Sequence, residues 1–344
     1  MTPSPTDPTD PTDPIGPAAP ADPIGLTGLT GPTVSMTTAR TVLDGLHFAE
    51  SPSVGPDGAL YASDFYAHEV LRIDPDTWRA EPYAEVPGQP SGLGWLPDGR
   101  LLVVSMRDRR LLRREADGTL VTHADLAEVT VGAANDMHVD PHGRAWIGDF
   151  GFDFYGLLER DPGADPLFGP GANPPTATLT RVDPDGTVTT AAHGLRFPNG
   201  TTRLSDGTLV VAETVGGCLT AFTVTGTGEL TDRRVWADLT TAGVTGGRVL
   251  PDGIAYAGDD RVWVSDPTAG GASRVARGGT VDAIVRTSQP CFAVGVLPTR
   301  PATVVCCTAT TSSPTTAAVH RTGRIEIAEI AEIAEIAEPP GAAR

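Results

Sequence analysis

The chain has 344 residues and a mass of 35.7 kDa, with 43 Asp and Glu against 25 Lys and Arg, a formal charge of -18 and a pI near 4.6. Such an acidic chain is a poor match for nucleic-acid phosphates or anionic membranes, which select basic surfaces. Its length allows a large core in one or two domains, and Gly 40, Pro 32 and 20% charged residues suit short strands joined by tight turns.

Residues 1–33, rich in Pro, Thr and Asp, bury too little apolar surface to offset their ordering entropy and are expected to be disordered. They lack the basic start and continuous apolar core of a signal peptide, and no later stretch has the length of a transmembrane span. From about Val34 to Glu329 the chain reads as punctuated strands without a long amphipathic helix. A turn-then-strand unit recurs as PDGALYASD (56–64), PDGRLLVVS (97–105), PHGRAWIGD (141–149), SDGTLVVAE (205–213) and GDDRVWVSD (258–266), with a degenerate sixth copy, PTRPATVVCCTA (298–309). Asp-Gly favours hairpin turns because Gly, and to a lesser extent Asp, tolerates positive φ.

The copies stand roughly 40–64 residues apart, which fits four-stranded blades, and radial closure leaves no long exposed edges. The prediction is an all-β, six-bladed β-propeller over residues 34–325, closed by VSMTTARTVL pairing with the final blade. A pair of β-sandwiches does not account for six recurrences, and the units are too long for common β-helix coils. Residues 151–178 interrupt the third repeat as an aromatic and then Gly/Pro-rich loop, expected to lie across one face as a pocket lid. Residues 326–344 form an acidic tail whose Ile-Ala-Glu period of three is neither a heptad nor a clean strand, with RIEIAEI readable as a last strand. Cys218, Cys291, Cys306 and Cys307 have no CxxC spacing and are expected to be reduced in a cytoplasmic protein, with at least one of the adjacent pair buried.

Glu50, Asn135, Asn199 and Asp252 each lie seven residues before a turn pair, namely Asp57-Gly58, His142-Gly143, Asp206-Gly207 and Asp259-Asp260. Equivalent positions in repeated blades sit at one depth near the axis, so two carboxylates and two amide oxygens can converge. That donor set suits one divalent cation, calcium first, with zinc, magnesium or manganese as alternatives. The same offset returns Ser91 and Phe292 as pocket-lining residues, and Asp136 as a neighbour that steadies Asn135 or meets substrate. Asn199-Gly200 and Asp252-Gly253 also read as simple turns. Asp64, Asp149 and Asp266 read as structural hydrogen-bond acceptors, and His47, His138 and His193 form no compact metal motif.

The segments FAESPSV, AANDMHVDPHGRAWIGD, FPNG and LPDGIAYAGDDRVWV resemble the SMP-30/gluconolactonase/luciferin-regenerating family, and the likeness spans most of residues 34–325. The resemblance implies a six-bladed propeller with one divalent metal held by Glu50, Asn135, Asn199 and Asp252, and lactone hydrolysis with Asp252 as general base. The chain departs from the family pattern at Ser51 and Met137, where glycine is common. It departs again at Ala133, where sugar-lactone hydrolases of this type can carry an Arg; Arg107 or the Phe152–Tyr155 loop are the candidate substitutes for that contact. The expected function is metal-dependent opening of a lactone or related cyclic ester. A non-catalytic small-molecule or protein binder with a structural metal, and a related esterase or phosphoesterase, are the alternatives.

Overall fold

A computed structural model describes residues 34–242, 247–297 and 303–330. The segment 1–33 and the repeats from residue 331 lie outside the described residues. Among the described residues, no helix is long and apolar enough to cross a membrane.

The strands form six sheets, one for each expected blade. Their inner strands are Ala49–Val54, Pro90–Trp95, Ala134–Val139, Pro198–Arg203, Ile254–Gly258 and Cys291–Val296. Each inner strand packs on the next and the sixth packs on the first, so the ring closes as a six-bladed β-propeller. The second strands Leu60–Asp64, Leu101–Ser105, Ala145–Asp149, Leu209–Glu213 and Thr303–Thr308 are buried throughout. Each is covered on both faces by neighbouring blades, which is why these segments read as near-continuous apolar runs rather than alternating patterns. Cys306 and Cys307 are both buried for the same reason, and all four cysteines are free thiols.

The predicted hairpin turns join inner to second strands. Gly58, Gly99, Gly143 and Gly207 take φ of +79°, +83°, +80° and +89°. In blade five the pair is Asp259-Asp260, with φ of +48° and +54°, a conformation that Asp tolerates better than most side chains.

Closure differs from the expected single strand. The VSMTTARTVL segment divides at Ala39, whose N–H donates to Arg286 O. Ser35–Thr38 adds in parallel to the outer edge of blade five, whereas Arg40–Leu46 pairs antiparallel with Gly323–Glu329 to complete blade six. One continuous segment therefore ties two blades together. The last strand includes most of RIEIAEI and runs four residues past 325, the expected end of the propeller. Within residues 151–178 the chain forms a short helix, α1 (Phe154–Arg160), whose N-terminus is capped by the Asp153 carboxylate accepting from the Gly156 N–H.

Candidate active site

In every blade but the fifth, the start of the inner strand carries an irregularity that aims its side chains. Asn135 and Asp136 stand where the partner strand has one residue, and so do Asn199 with Gly200 and Ser91 with Gly92. In blade one the extra residue follows Glu50, and Ser51 takes φ +49°. Such bulges bend a strand and redirect a side chain. In blade five Asp252 precedes the inner strand and is tied to the second strand, Arg261–Asp266, through its own N–H, which donates to Ser265 O at 3.1 Å. The glycines after Asn199 and Asp252 serve close approach between blades rather than turns. A Cβ on Gly200 would stand 2.3 Å from the Ile254 nitrogen, and one on Gly253 would stand 2.7 Å from Ala293 Cα.

Glu50, Asn135, Asn199, Asp252 and Phe292 line one cavity of about 200 Å³. Hydrogen bonds fix the two amides. Ser91 Oγ donates to Asn135 Oδ1 at 3.0 Å, Asn135 Nδ2 donates to Asn199 Oδ1 at 3.0 Å, and Asn199 Nδ2 donates to Thr214 Oγ1 at 3.3 Å. Each amide oxygen keeps a second lone pair.

The carboxyls are crowded. Burial, then the charges of Asp136 and Asp252, hold Glu50 well above the usual carboxylate range, against a smaller opposing pull from the Ser51 N–H. Burial, then Asp136 and Asp266, raise Asp252, while a hydrogen bond from Asn199 opposes the rise. Burial pushes Asp136 up to about 7. The Tyr155 phenol is held well above its ordinary range by burial and then by Tyr66, Glu50, Asp252 and Asp136, so it remains a protonated donor beside them.

Among the described residues, no group of three or more His, Cys, Asp or Glu side chains is placed to hold a metal ion. A cation here therefore needs the two asparagine oxygens in addition to Glu50 and Asp252. Two desolvated carboxyls and two carbonyl oxygens on one cavity have the donor chemistry of a hard divalent ion, which would reverse the repulsion that raises both acids.

The other expected residues fall in different places. Ser91 is fully buried behind Asn135 and is its hydrogen-bond donor. Asp136 is buried at the bulge, and Tyr155 lines the cavity. Phe152 packs on the hydrophobic cluster next to the cavity. Arg107 does not line the cavity: its guanidinium donates to Gln89 Oε1 and, at 2.5 Å, to Glu159 Oε1 on α1, so it pins the inserted segment. Asp64, Asp149 and Asp266 accept local backbone N–H groups, as expected of structural acceptors.

Sequence reasoning did not single out the rest of the wall. Phe48, Phe197 and Leu250 stand two residues before Glu50, Asn199 and Asp252. Phe65, Phe150, Thr214 and Pro267 stand fifteen residues after Glu50, Asn135, Asn199 and Asp252, where the second strands end. The inserted segment adds Phe154, Leu167 and Phe168 beside Tyr155. The repeat offsets that located the acids also carry these positions, but the residue types at them vary from blade to blade.

A closed six-bladed propeller with an acid-and-amide cavity at the starts of its inner strands is the class that fold and site define. The family model of the SMP-30/gluconolactonase/LRE-like region matches residues 48–308, and the chain belongs to that family. The pentonolactonase XacC of Haloferax volcanii is 30% identical over 166 residues, 48% of this chain and 49% of that protein, so the chain spans about half the length of the curated relative it matches. The fold is similar to a calcium-binding regucalcin of Agrobacterium tumefaciens, with TM-score 0.66 and 20% identity over 86% of this chain and 95% of that one. It is also similar to a gluconolactonase of Xanthomonas campestris, with TM-score 0.64 and 21% identity over 85% and 90% of the two chains.

Proposed function

We propose that the protein is a metal-dependent hydrolase that opens a lactone or related cyclic ester. The observation that carries the reading is the convergence of Glu50, Asn135, Asn199 and Asp252 on one cavity in a member of this family. The names of the gluconolactonase and the pentonolactonase point to the same bond, and that of the calcium-binding regucalcin to a divalent ion, calcium first.

Glu50, Asn135, Asn199 and Asp252 would hold the cation. When bound, it supplies neutralising charge and polarises the ester carbonyl. Asp252 takes a proton as water oxygen adds to the acyl carbon. The ring C–O bond then breaks, and the proton passes to the departing ring oxygen, leaving a hydroxy acid. Burial and Asp136 raise the proton affinity of Asp252, and a cation lowers it. The two pulls act in opposite directions on the group that accepts the proton. The protonated Tyr155 phenol lines the same cavity, and the aromatic wall limits access of bulk water.

The test is turnover of a lactone panel with a pH indicator, using extensively dialysed protein with EDTA and metal add-back. Asp252→Ala should lower turnover by about 10²–10⁴ and weaken cation binding. Near-normal lactone hydrolysis by that variant would overturn the assignment.

A further inference from the structure

The cavity that holds the acids is walled by rings. Phe292, Phe48, Phe65, Tyr155, Phe150 and Phe197 form an unbroken series of contacts, with centroids 4.8, 5.2, 6.5, 5.7 and 4.7 Å apart in that order, and all six line the cavity. Seven of the chain's nine phenylalanines meet at this one place. They come from separate blades and from the inserted segment, so the concentration is not an accident of one apolar stretch.

Polar partners on the wall are few. The chain contains no lysine, and among the described residues no arginine lines the cavity. Thr214 Oγ1 donates to Pro251 O, and Thr268 Oγ1 donates to Asp266 Oδ1, so both hydroxyl protons are engaged. Apart from the acids and amides of the floor, the Tyr155 and Ser312 hydroxyls are what remain on the wall to donate to a polar ligand.

We propose that this pocket selects a lactone carrying an apolar aryl or alkyl substituent, and discriminates against polyhydroxylated sugar lactones. The inference takes its chemistry from the lactone-hydrolase reading, but its selectivity rests on the wall alone. A glucono-lactone brings four hydroxyls to a wall with two neutral hydroxyls free, and the unpaired ones lose their water without replacement. A phenyl substituent instead meets ring edges and faces at the spacings that aromatic pairs favour. An apolar cavity of about 150 Å³ accommodates benzene, so one of about 200 Å³ has room for a small lactone with a compact apolar group.

The experiment compares kcat/KM for γ-phenyl-γ-butyrolactone and dihydrocoumarin with that for glucono-1,5-lactone. In parallel, calorimetry measures binding of 2-phenylcyclopentanone and of glucono-lactam, which the enzyme cannot open. The aryl lactones should be preferred on the order of 1,000-fold, from roughly tenfold for each unpaired hydroxyl or buried methylene. Phe154→Ala and Phe168→Ala, on the inserted segment, should each lower that ratio about tenfold; a ratio is insensitive to the folded fraction. Equal or better turnover of the glucono-lactone would overturn the inference and leave the hydrolase reading intact. If nothing is hydrolysed but the phenylcyclopentanone binds and the lactam does not, the selectivity stands and the hydrolase reading falls. If neither analogue binds and neither lactone class is opened, both fall.

Discussion

Replacing Asp136 by Asn in cation-free protein isolates the cost of burying one carboxylate beside Glu50 and Asp252. Asp136 is 8% exposed, and burial lifts its carboxyl from an ordinary 3.8 to about 7. Above pH 7 its ionisation in the folded chain is harder than in the unfolded chain by about 4 kcal/mol. Between pH 3.8 and about 7 the folded chain holds a proton that the unfolded chain has released. The stability linked to this group is therefore fully present below pH 3.8 and is lost as pH rises through about 7. Asn keeps the shape without the charge. Asp136→Asn should match the parent below about pH 4, exceed it by roughly 1–2 kcal/mol at pH 5, and by up to about 4 kcal/mol at pH 8. At about 2 °C per kcal/mol for a domain of this size, Tm at pH 8 rises by roughly 8 °C. Thermal unfolding of EDTA-dialysed proteins, followed by near-ultraviolet circular dichroism across this pH range, reads the difference. Saturating calcium should narrow it, because a cation bound nearby offsets the cost of a buried negative charge. A gap at pH 8 no larger than the gap near pH 4 would refute the reasoning.

Three further substitutions probe the scaffold. Ser51 holds φ +49°, a region costly for a side chain, so Ser51→Gly should raise stability by about 0.5–1 kcal/mol in urea unfolding; a loss would show that the backbone there is not strained. Asp140 is buried, pairs with Arg144 Nε at 2.7 Å, and accepts from two backbone N–H groups. Asp140→Ala should cost about 3–5 kcal/mol, because it leaves the Arg144 charge buried without its partner, and an unchanged urea midpoint would contradict this. Arg107→Ala removes an exposed ion pair with Glu159 and should cost about 0.5 kcal/mol, with KM for any turned-over lactone nearly unchanged. A large rise in KM would instead make Arg107 a substrate contact.

The blade count and the meeting of Glu50, Asn135, Asn199 and Asp252 at one cavity were legible in the sequence because both depend on repetition. A tight hairpin needs a residue that accepts positive φ, so Gly58, Gly99, Gly143 and Gly207 mark the register, and a fixed step back from each reaches the axis. The division of the first strand was not legible. SMTTARTVL contains no Gly or Pro to announce a change of partner, and the handover at Ala39 rests on one backbone bond to Arg286, far along the chain. The partner of Arg107 was equally hidden, because Glu159 reaches it only through the inserted segment.

The aromatic wall was hidden for a different reason. The slot two residues before Glu50, Asn135, Asn199 and Asp252 holds Phe48 and Phe197, but also Ala133 and Leu250, so no single residue type signals it. Only closure of the ring brings the aromatic members together above the acids. In the proposed reaction their convergence would link recognition to catalysis. The apolar surroundings that would favour an aryl substituent also desolvate Glu50 and Asp252, and desolvation is the first cause of their raised proton affinity. Low local polarity in turn strengthens the attraction of those acids for a divalent cation and of that cation for a carbonyl oxygen. Wall and floor therefore act on each other: a polar substitution in the wall that admits water should relax selectivity and weaken cation binding together.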